Sequence, residues 1–447
     1  MNLTESRKKF EESKQYLAGG VASTLRASLK PLPLFVESAS GARVKDVDGN
    51  EYIDYKLAYG PLILGHAHPV LTARIAEQMA RGTTYGMQHD GEIKLAKKLV
   101  ELIPCAELVC LSGSGTEAVM LAIRLARAYT GKSKVVRFHG HFHGWSDTIY
   151  TSFPGPDLVQ GAAEEDAPHP VPPGTGGQSR KALEEIILVP WNDPVQLESV
   201  LRAHKDEIAA VISEPVMCNS GCMVPKSGYL EKMRELTREL GIVMILDEVI
   251  TGFRLGPGGA QERFGIVPDL TTVGKALGGG IAISAVAGKK EIMQLVEKGT
   301  VGHLGTLNGN CVATTAALTV IEELTQNDGE AFKRMERLML KLAEGIRSRL
   351  AKHGIPGLLN QIGPVFHMMF IDAPEVSDFA TFQQRDAAKY ARFAEIMLEE
   401  GVVLRPSGLW YISAAHEEKD VDETLDAVDR ALQRLKNERI NLRNVLF

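Results

Sequence analysis

Cysteine is scarce in this 447-residue sequence. The cysteines number five, an odd count without the repeated close spacing of a structural zinc site or a disulfide-rich scaffold. They are Cys105, Cys110, Cys218, Cys222 and Cys311. The sequence therefore predicts reduced thiols in a cytoplasmic protein and no metal centre built on cysteine.

Long apolar runs and a surplus of positive charge are also lacking. No stretch approaches the roughly 20 apolar residues that a membrane-spanning helix needs, and residues 1–20 are charged, unlike a signal peptide. Lysine and arginine number 50 against 56 aspartates and glutamates, which gives a net charge of −6. We therefore expect no membrane segment and no broad surface for nucleic acid, so any anion must be bound locally.

Short apolar segments alternate with helical patterns in the central part of the chain. Each is bounded by glycine, proline, aspartate or serine, as the buried strands of a parallel sheet commonly are. These segments cover residues 106–112, 133–138, 208–215, 242–249, 269–274 and 283–288. The pattern predicts an α/β fold in which helices cover both faces of a mainly parallel sheet, with the site at the carboxyl ends of the strands.

The two ends of the chain differ from this central region. Residues 42–55 are expected to form a hairpin around a polar turn. Helical patterns cover 312–325, 329–352 and 421–436, and strand-like pieces cover 363–370 and 410–413. We predict a large domain, 61–310, a smaller α+β domain, 311–447, and an N-terminal segment, 1–60, that packs with the smaller domain.

One segment inside the predicted large domain has no apolar period. Residues 153–179 contain six prolines and five glycines. A loop of this length within a compact domain is commonly functional, and we predict a mobile gating loop. A passive surface insertion is the alternative.

A glycine-rich turn, LSGSGTEA, follows the first of these predicted strands and opens a strongly helical run. Backbone N–H groups at that helix start, together with the hydroxyls of Ser114 and Thr116, can bind an anion without a cationic side chain. The same residue types also serve as ordinary turn and helix-cap residues. The turn lacks the lysine of a P-loop and the glycine spacing of a dinucleotide site, which disfavours a nucleotide.

Ionisable groups stand at two strand ends where burial costs free energy. Asp247 and Glu248 end a very apolar strand, where an acid needs a helix cap, an ion pair or a protonated ring nitrogen as its partner. Lys275 follows the strand 269–274 and precedes three glycines. An apolar setting makes a lysine nucleophilic toward carbonyls, although most lysines are simple surface charges.

Histidines alternate in the segment HGHFHGW. His139, His141 and His143 would share one face if the segment were a strand, as a zinc site requires. No carboxylate or cysteine ligand pattern accompanies them, so we do not predict a metal. Phe142 is the more informative residue, because a planar cofactor needs an aromatic neighbour.

Together these features match one cofactor. A phosphate needs the anion-binding turn, an aldehyde needs the lysine, a pyridine nitrogen needs the acid, and the ring face needs an aromatic partner. The conjunction predicts pyridoxal 5'-phosphate held by Lys275.

The order of the motifs resembles that of class III pyridoxal-phosphate aminotransferases, in particular the glutamate-1-semialdehyde aminomutase-like branch. The matching stretches span nearly the whole chain and include YIDY, GPLILGHAHP, SGSGTEA, HFHGW, EPV, LDEVITGFR, TVGKALGGG and GTLNGN. The resemblance implies a fold-type I pyridoxal-phosphate transferase, with a mainly parallel seven-stranded sheet covered by helices and a smaller α+β domain. It also implies a homodimer with shared active sites.

The resemblance further implies roles for residues around the phosphate and the ring. Ser114, Gly115 and Thr116 would hold the phosphate. Phe142 would stack on one face of the ring, and Val249 would pack on the other.

It implies roles for the reacting groups as well. Asp247 would bind the ring nitrogen, and Lys275 would carry the cofactor and act as the catalytic base. Thr306 would reach the phosphate of the neighbouring subunit. Glu214 and Asn219 would line the site.

At the substrate end, Arg26 would bind a carboxylate and Tyr59 would take the place of an aromatic pocket residue. Aminomutases of this branch carry a glutamate in an EAG-type insertion, which the segment SGLWYISAAH lacks. The missing insertion would bring Arg405, Trp410 and Tyr411 toward the substrate, as in aminotransferases of this branch that act on aromatic or β-amino acids.

These observations predict a ping-pong aminotransferase that moves an amino group between a carboxylate-bearing amino acid and an oxo acid. An amino acid of the aromatic or β-amino type is what the resemblance implies. Intramolecular transfer by an aminomutase is the alternative within the family. A non-catalytic binding protein on the same fold is the alternative of another class, and the intact Lys275, Asp247 and SGSGT turn disfavour it.

Overall fold

The computed structural model describes residues 1–153 and 171–445 of the chain. Its strands are β1 (Val36–Ser40), β2 (Arg43–Asp46), β3 (Glu51–Asp54), β4 (Leu108–Ser112), β5 (Lys134–Phe138), β6 (Ile186–Val189), β7 (Ile208–Ser213), β8 (Val243–Glu248), β9 (Leu270–Val273), β10 (Ser284–Gly288), β11 (Leu358–Ile362), β12 (Val365–Met369), β13 (Val402–Val403) and β14 (Leu409–Tyr411). Short 3-10 helices cover Ala18–Gly20, Thr24–Ser28, Leu57–Tyr59 and Lys275–Gly278.

The α-helices are α1 (Thr4–Ser13), α2 (Pro69–Arg81), α3 (Asp90–Leu102), α4 (Gly115–Thr130), α5 (Arg180–Leu183), α6 (Pro194–Ala203), α7 (Tyr229–Glu239), α8 (Gly259–Phe264), α9 (Lys290–Glu297), α10 (Cys311–His353), α11 (Phe379–Gln383), α12 (Ala387–Glu399) and α13 (Glu418–Val445). None of the described helices combines the length and the apolar character that crossing a membrane requires.

Contacts between Cα atoms divide the chain into two compact units. The large unit consists of Pro69–Glu330 and Ser377–Phe382. The small unit consists of Met1–His68, Ala331–Val376 and Gln383–Phe447. The division after residue 330 lies inside α10, whereas the sequence pattern changes at residue 310.

A break inside α10 accounts for the position of this division. Four residues, Gln326 to Gly329, leave the helical conformation, and Asn327, Asp328 and Gly329 have φ values of 52°, 55° and 68°. Asparagine, aspartate and glycine are the residues that best tolerate the left-handed region. The two helical patterns predicted at 312–325 and 329–352 are therefore the two halves of α10.

Within the described residues, the large unit contains a seven-stranded sheet in the order β4-β10-β9-β8-β7-β5-β6. β10 pairs antiparallel with β4 and β9, and the other neighbouring pairs are parallel. The predicted α/β fold with a mainly parallel seven-stranded sheet is confirmed. β6 is a strand that the sequence analysis missed.

The central strands explain why their segments are continuously apolar. Every residue of β7 and β8 is buried, and a strand with helices on both faces has no solvent side. α4 packs against β9 and β10, with Leu121 and Leu125 among its buried residues. Because α4 begins almost directly after β4, burial of this helix also fixes the turn that precedes it.

The described residues of the small unit form two sheets, β1-β2-β3-β13 and β11-β12-β14. β2 and β3 pair antiparallel and form the predicted hairpin. Leu29, Val44 and Tyr52 pack with Leu398 and Val403 in one of this unit's hydrophobic clusters.

The predicted gating loop, residues 153–179, lies largely outside the described residues, which exclude 154–170. Near its described end, the Gln178 amide donates hydrogen bonds to the carbonyls of Asp147 and Tyr150, both at 2.8 Å. The gating role of this loop stays a prediction.

His416 is a buried histidine in the small unit. Its Nδ1 accepts the Ser413 N–H at 3.2 Å and lies 2.8 Å from the Ser413 hydroxyl, and its ring centroid lies 4.8 Å from that of Tyr55. Burial lowers the pKa of His416 to about 4, because an imidazolium inside the protein would lose its hydration. The folded state therefore holds this ring neutral at neutral pH.

We predict that His416→Asn makes the protein less sensitive to acid. A histidine in the unfolded chain titrates near 6.5, so below about pH 6.5 the unfolded state gains a proton that the folded state refuses, and stability falls as the pH drops toward about 4. Without this ring, the slope of the free energy of unfolding against pH should decrease by up to about 1.4 kcal/mol per pH unit.

Urea unfolding between pH 7 and pH 4.5 measures this slope. Tyr390→Phe is the control, because it removes a buried hydroxyl from the same unit without removing a group that titrates in this range. An unchanged slope in the His416 variant would contradict the prediction.

Candidate active site

The turn between β4 and α4 presents backbone N–H groups at the start of a buried helix. Ser114 is the N-cap residue, and its Oγ accepts the Glu117 N–H at 3.3 Å. Gly115 follows, and a Cβ at this position would lie 3.1 Å from Cγ1 of Val249. Glycine thus lets Val249 pack against the positive end of the helix, where backbone donors can bind an anion.

The segment HFHGW contacts the same turn through a glycine that the sequence analysis did not single out. Gly144 has a φ of 87°, and a Cβ there would lie 2.6 Å from Oγ1 and 2.9 Å from Cα of Thr116. Only a residue without a side chain allows this approach. The loop that carries Phe142 and His143 is therefore held against the first turn of α4.

Asp247 is a buried carboxylic acid at the end of β8, with 5% of its surface exposed. Its Oδ1 accepts the Thr272 hydroxyl at 3.0 Å and the Val249 N–H at 3.1 Å. Its Oδ2 lies 2.7 Å from Nδ1 of His143. Three donors from three different segments thus surround this carboxylate, which offsets part of the cost of burying it.

His143 is the partner of Asp247 that the sequence analysis did not identify. Burial lowers its pKa, and the hydrogen bond to Asp247 acts in the opposite direction. A neutral ring beside a carboxylate must direct its Nδ1–H toward the acceptor oxygen. His143 therefore orients Asp247 and fixes which way the acid faces.

The other two histidines of this segment have separate partners. His139 Nδ1 lies 2.9 Å from the Ser152 hydroxyl, and His141 Nδ1 accepts the Glu214 N–H at 2.9 Å. The segment follows β5 as a loop, so the strand alternation that would put all three rings on one face does not apply. The described residues contain no group of three or more ligands suited to a metal.

Glu248, next to Asp247, has a structural role. Its carboxylate accepts the N–H groups of Ala260 at 2.5 Å and Gln261 at 3.2 Å, and also the Thr251 hydroxyl at 2.9 Å. These contacts cap α8. The helix-cap interpretation of the acidic pair thus applies to Glu248, and Asp247 is the acid of the pair that stays a candidate for the site.

Glu214 is a buried acid that positions the loop after β5. Its Oε1 accepts the Phe142 N–H at 2.7 Å. Burial raises the pKa of Glu214 to about 8, with Asp247 adding to the rise and Lys275 opposing it. Asn219 is also buried, with 7% of its surface exposed.

Lys275 begins the 3-10 helix that follows β9 and is partly buried. Its φ of 41° lies in the left-handed region, which is unfavourable for a residue with a Cβ and is concentrated at functional sites. Phe142 is partly buried too, and its ring centroid lies 4.6 Å from that of Phe153.

Thr306 lies in an exposed loop of the large unit. Its neighbour Leu304 is 92% exposed and Leu307 is 60% exposed. Thr306 lines a cavity of about 580 Å³ together with Met87 and His89. The large unit thus brings together most of the predicted cofactor residues, and it places Thr306 at the surface.

In the small unit, Tyr59 lies close to Leu25, Lys56 and Arg405. The Tyr59 hydroxyl donates to the carbonyl of Leu25 at 2.5 Å, next to Arg26. The guanidinium carbon of Arg405 lies 5.6 Å from the centroid of the Tyr59 ring. Lys56, which the sequence analysis passed over, places its ammonium 4.7 Å from the same centroid.

Trp410 requires a correction. Its side chain is fully buried in the small unit, where its indole N–H donates to the Tyr390 hydroxyl at 2.7 Å and its ring stacks on Phe366. A buried tryptophan with its donor satisfied is a core residue. The expected contact between Trp410 and substrate is not supported, and Tyr411, also fully buried, shares this outcome.

This fold, with an acid, a lysine and a helix-start turn at its strand ends, is that of the fold-type I pyridoxal-phosphate transferases. Residues 24–432 match the profile of the aminotransferase class-III family, and the chain belongs to this family. Its cofactor is pyridoxal phosphate.

Three known proteins are similar over nearly the whole chain. A relative from Methanocaldococcus jannaschii named glutamate-1-semialdehyde 2,1-aminomutase is 41% identical over 98% of this chain and 100% of its own. An omega-transaminase from Sphaerobacter thermophilus superposes with a TM-score of 0.88 at 32% identity, covering 98% of this chain and 100% of that chain. A transaminase with PLP bound superposes with a TM-score of 0.88 at 30% identity, covering 98% and 99% of the two chains.

The described residues fit this cofactor. Gly115 leaves a bare backbone beside Val249, which suits the close approach of a phosphate or a ring. Asp247 is buried and held by fixed donors, which suits a partner with a protonated ring nitrogen.

We predict that removing the His143 donor destabilises the protein through Asp247. His143→Leu leaves the buried carboxylate with one hydrogen bond fewer, which should lower the free energy of unfolding by about 1.5–3 kcal/mol. His143→Asn, which keeps an N–H donor, should lose less. Chemical denaturation of the cofactor-free protein measures both.

A double-mutant cycle with Asp247→Asn isolates the pair. The two losses should be non-additive by 1 kcal/mol or more, on the order of the bond itself. Additive losses would show that His143 acts by packing alone. His139→Leu is the matched control and should be additive with Asp247→Asn, because His139 bonds Ser152 instead.

Proposed function

We propose that the protein is an aminotransferase that moves an amino group between a carboxylate-bearing amino acid and an oxo acid. The observation that carries this proposal is the segment 404–416, which contains no aspartate or glutamate. An enzyme of the aminomutase branch is expected to have a glutamate here. Without that carboxylate, transfer of the amine to a second molecule is the outcome that the chain favours.

Pyridoxal phosphate, when bound, supplies an electron-accepting ring that stabilises the charge left when a proton leaves the substrate carbon. We assign to Lys275 the covalent attachment of the cofactor and the movement of that proton. Its position after β9 and its left-handed φ of 41° support this role. Asp247 holds the proton on the ring nitrogen, and its bond to His143 keeps the carboxylate facing one way.

The remaining residues of the large unit position the cofactor in this proposal. Ser114, Gly115 and Thr116 bind the phosphate with backbone N–H groups and hydroxyls at the start of α4. Val249 packs on one face of the ring and Phe142 on the other. The contact between Gly115 and Val249 supports the first of these assignments.

Two buried polar residues complete the set. Glu214 orients Phe142 through the backbone bond at 2.7 Å, and Asn219 lines the site. Recognition of the substrate carboxylate falls to Arg26 and Arg405, beside the ring of Tyr59, because guanidinium groups bind carboxylates with two parallel hydrogen bonds. A donor of the aromatic or β-amino type rests on the resemblance, and the buried Trp410 adds no support to it.

An aminomutase is the second candidate function. The relative from Methanocaldococcus jannaschii, which is 41% identical over 98% of this chain, has that name. The two reactions differ in the fate of the amine. An aminomutase returns the amine to a neighbouring carbon of the same molecule, and an aminotransferase passes it to another molecule.

We predict that a ¹⁵N-labelled amino acid incubated with the holoenzyme and an unlabelled oxo acid transfers its label to the second molecule. Mass spectrometry of a panel of amino donors, including aromatic and β-amino acids, measures the transfer. Lys275→Ala should lower the rate by about 10²–10⁴-fold or more, because the proton carrier is lost. The exposed Lys298→Ala is the control and should keep the wild-type rate.

Two results would contradict this prediction. Label that stays within one molecule while its position changes would support the aminomutase instead. Label transfer that survives in the Lys275 variant would remove the proposed role of this lysine.

We also propose a homodimer in which Thr306 faces the phosphate of the neighbouring subunit. Exposed apolar side chains near Thr306 support it: Leu304 is 92% exposed, Leu307 60% and Met87 76%. Clustered exposed apolar groups of this kind mark protein interfaces.

We predict that the double variant Met87→Glu and Leu304→Glu dissociates this dimer. Two carboxylates in an apolar interface would lose their hydration without a partner. Light scattering at micromolar concentration should give twice the chain mass for the wild type and the single mass for the variant. Val195→Glu on α6, at a side chain that is 77% exposed, is the control and should stay dimeric; a dimeric double variant would exclude this surface as the interface.

A further inference from the structure

Arg137 on β5 is a buried cation of the large unit, with 1% of its surface exposed. Its guanidinium donates hydrogen bonds to the backbone carbonyls of Ile149 at 2.5 Å, of Phe138 at 3.3 Å and of His141. All three acceptors are uncharged. Since burying a charge costs free energy, the contacts with these carbonyls must offset the hydration that Arg137 loses.

Two of the acceptors belong to one loop. Residues 139–151 form neither helix nor strand, and His141 and Ile149 are fully buried. A buried backbone carbonyl needs a donor, and an irregular loop has no regular ladder of its own to provide one. The planar guanidinium of Arg137 has several donors in a fixed arrangement. It therefore holds two separate points of this loop together.

The stretch between these two points carries contacts of the candidate site. The three residues that directly follow His141 each contact a different part of the site: Phe142 donates to Glu214, His143 bonds Asp247, and Gly144 packs on Thr116. The hydrogen bonds of Arg137 itself go to backbone carbonyls. Its effect on the site therefore passes through the backbone of the loop.

The charge of Arg137 acts in the same direction as its hydrogen bonds. Burial lowers the pKa of Arg137 to about 10, so the guanidinium stays charged at neutral pH. Burial also lowers the pKa of His143, the bond to Asp247 opposes this, and the charge of Arg137 adds to the lowering. A neutral His143 donates its Nδ1–H to Asp247 and leaves the negative charge on the carboxylate.

We infer that Arg137 is a positioning residue of the cofactor site, which holds the loop 139–151 in its final conformation before the cofactor binds. The inference rests on the proposed function, which places Phe142 on the ring face and Asp247 at the ring nitrogen. A loop that is already ordered loses less conformational entropy on binding. Arg137 should therefore strengthen the binding of the cofactor without contacting it.

Hydrogen exchange of the cofactor-free wild-type protein tests the inference without a variant. Mass spectrometry with fragmentation measures the Phe142 amide, which donates to Glu214. This amide should exchange about 100-fold or more below the rate of an unstructured chain, because it opens only when the loop leaves Arg137. Exchange near the unstructured rate would overturn the inference, since the loop would then not be held before the cofactor binds.

Two variants of Arg137 assign the protection to its guanidinium. The compact ammonium of Arg137→Lys cannot reproduce the planar set of donors, and Arg137→Met retains apolar volume without any donor. Exchange at Phe142 should rise about tenfold with lysine and further with methionine, as expected for lost hydrogen bonds. β7 and β8 should keep their rates. Unchanged exchange at Phe142, or an equal rise in β7 and β8, would overturn the inference, because Arg137 would then have no local role.

Binding of 4′-deoxypyridoxine 5′-phosphate connects the loop to the cofactor site. This compound has the ring and phosphate of the cofactor but no aldehyde, so its affinity does not include a covalent bond to Lys275. Arg137→Lys should weaken its binding about tenfold, the effect of one lost hydrogen bond. An affinity equal to that of the wild type would overturn the inference.

The matched control for this titration is Arg234→Lys. Arg234 is also a buried arginine of the large unit, with 5% of its surface exposed. Its guanidinium donates to Asp269 at 2.7 and 2.8 Å, before the first residue of β9 and thus at the opposite end of that strand from Lys275. This variant should bind the compound like the wild type, and an equal loss in both variants would overturn the inference.

The two proposals fail in different ways. Label transfer by a protein whose Phe142 amide is unprotected contradicts the role of Arg137 and leaves the aminotransferase intact. A protected Phe142 amide and weaker binding by Arg137→Lys, without label transfer, contradict the aminotransferase and leave the role of Arg137 intact.

Discussion

A buried carboxylate at the end of a central strand is the constraint on which the rest of the site depends. Asp247 needs donors that solvent cannot provide, and it takes them from Thr272 on β9, from His143 after β5 and from the Val249 backbone. β9 is adjacent to β8, and β5 is two strands away on the other side. The order of the sheet thus decides which side chains reach the acid, and the site could not form on another strand order.

The alternation of side chains along β8 assigns different tasks to two neighbouring acids. Successive residues of a strand point to opposite faces, so Asp247 and Glu248 cannot share a partner. Glu248 satisfies its burial by capping α8, and Asp247 is left to the side where His143 and Thr272 lie. One short acidic pair therefore both caps a helix and supplies the buried carboxylate of the candidate site.

Local patterns predict the fold better than they predict contacts. The apolar segments identify six of the seven strands, because burial on both faces requires continuous apolar residues. β6, at the edge of the sheet, is the strand that they miss. The pairing of His143 with Asp247 spans 104 residues, and nothing within either segment indicates it. Trp410 was expected to contact the substrate because this chain lacks an insertion that the aminomutases have. In the structure, Trp410 is instead a core residue that contacts Tyr390 and Phe366.

The fate of the amine depends on fewer residues than the cofactor chemistry does. A lysine that moves a proton and an acid that holds a ring nitrogen serve a transaminase and an aminomutase equally well, so these residues do not distinguish this chain from the aminomutase that is 41% identical over 98% of its length. The outcome depends instead on whether the substrate end retains the reacting molecule or releases it. Of the residues predicted for that end, Arg405 lies 5.6 Å from the centroid of the Tyr59 ring, and residues 404–416 contain no aspartate or glutamate. The proposed aminotransferase therefore depends on this short segment, whereas the lysine and the acid are compatible with either reaction.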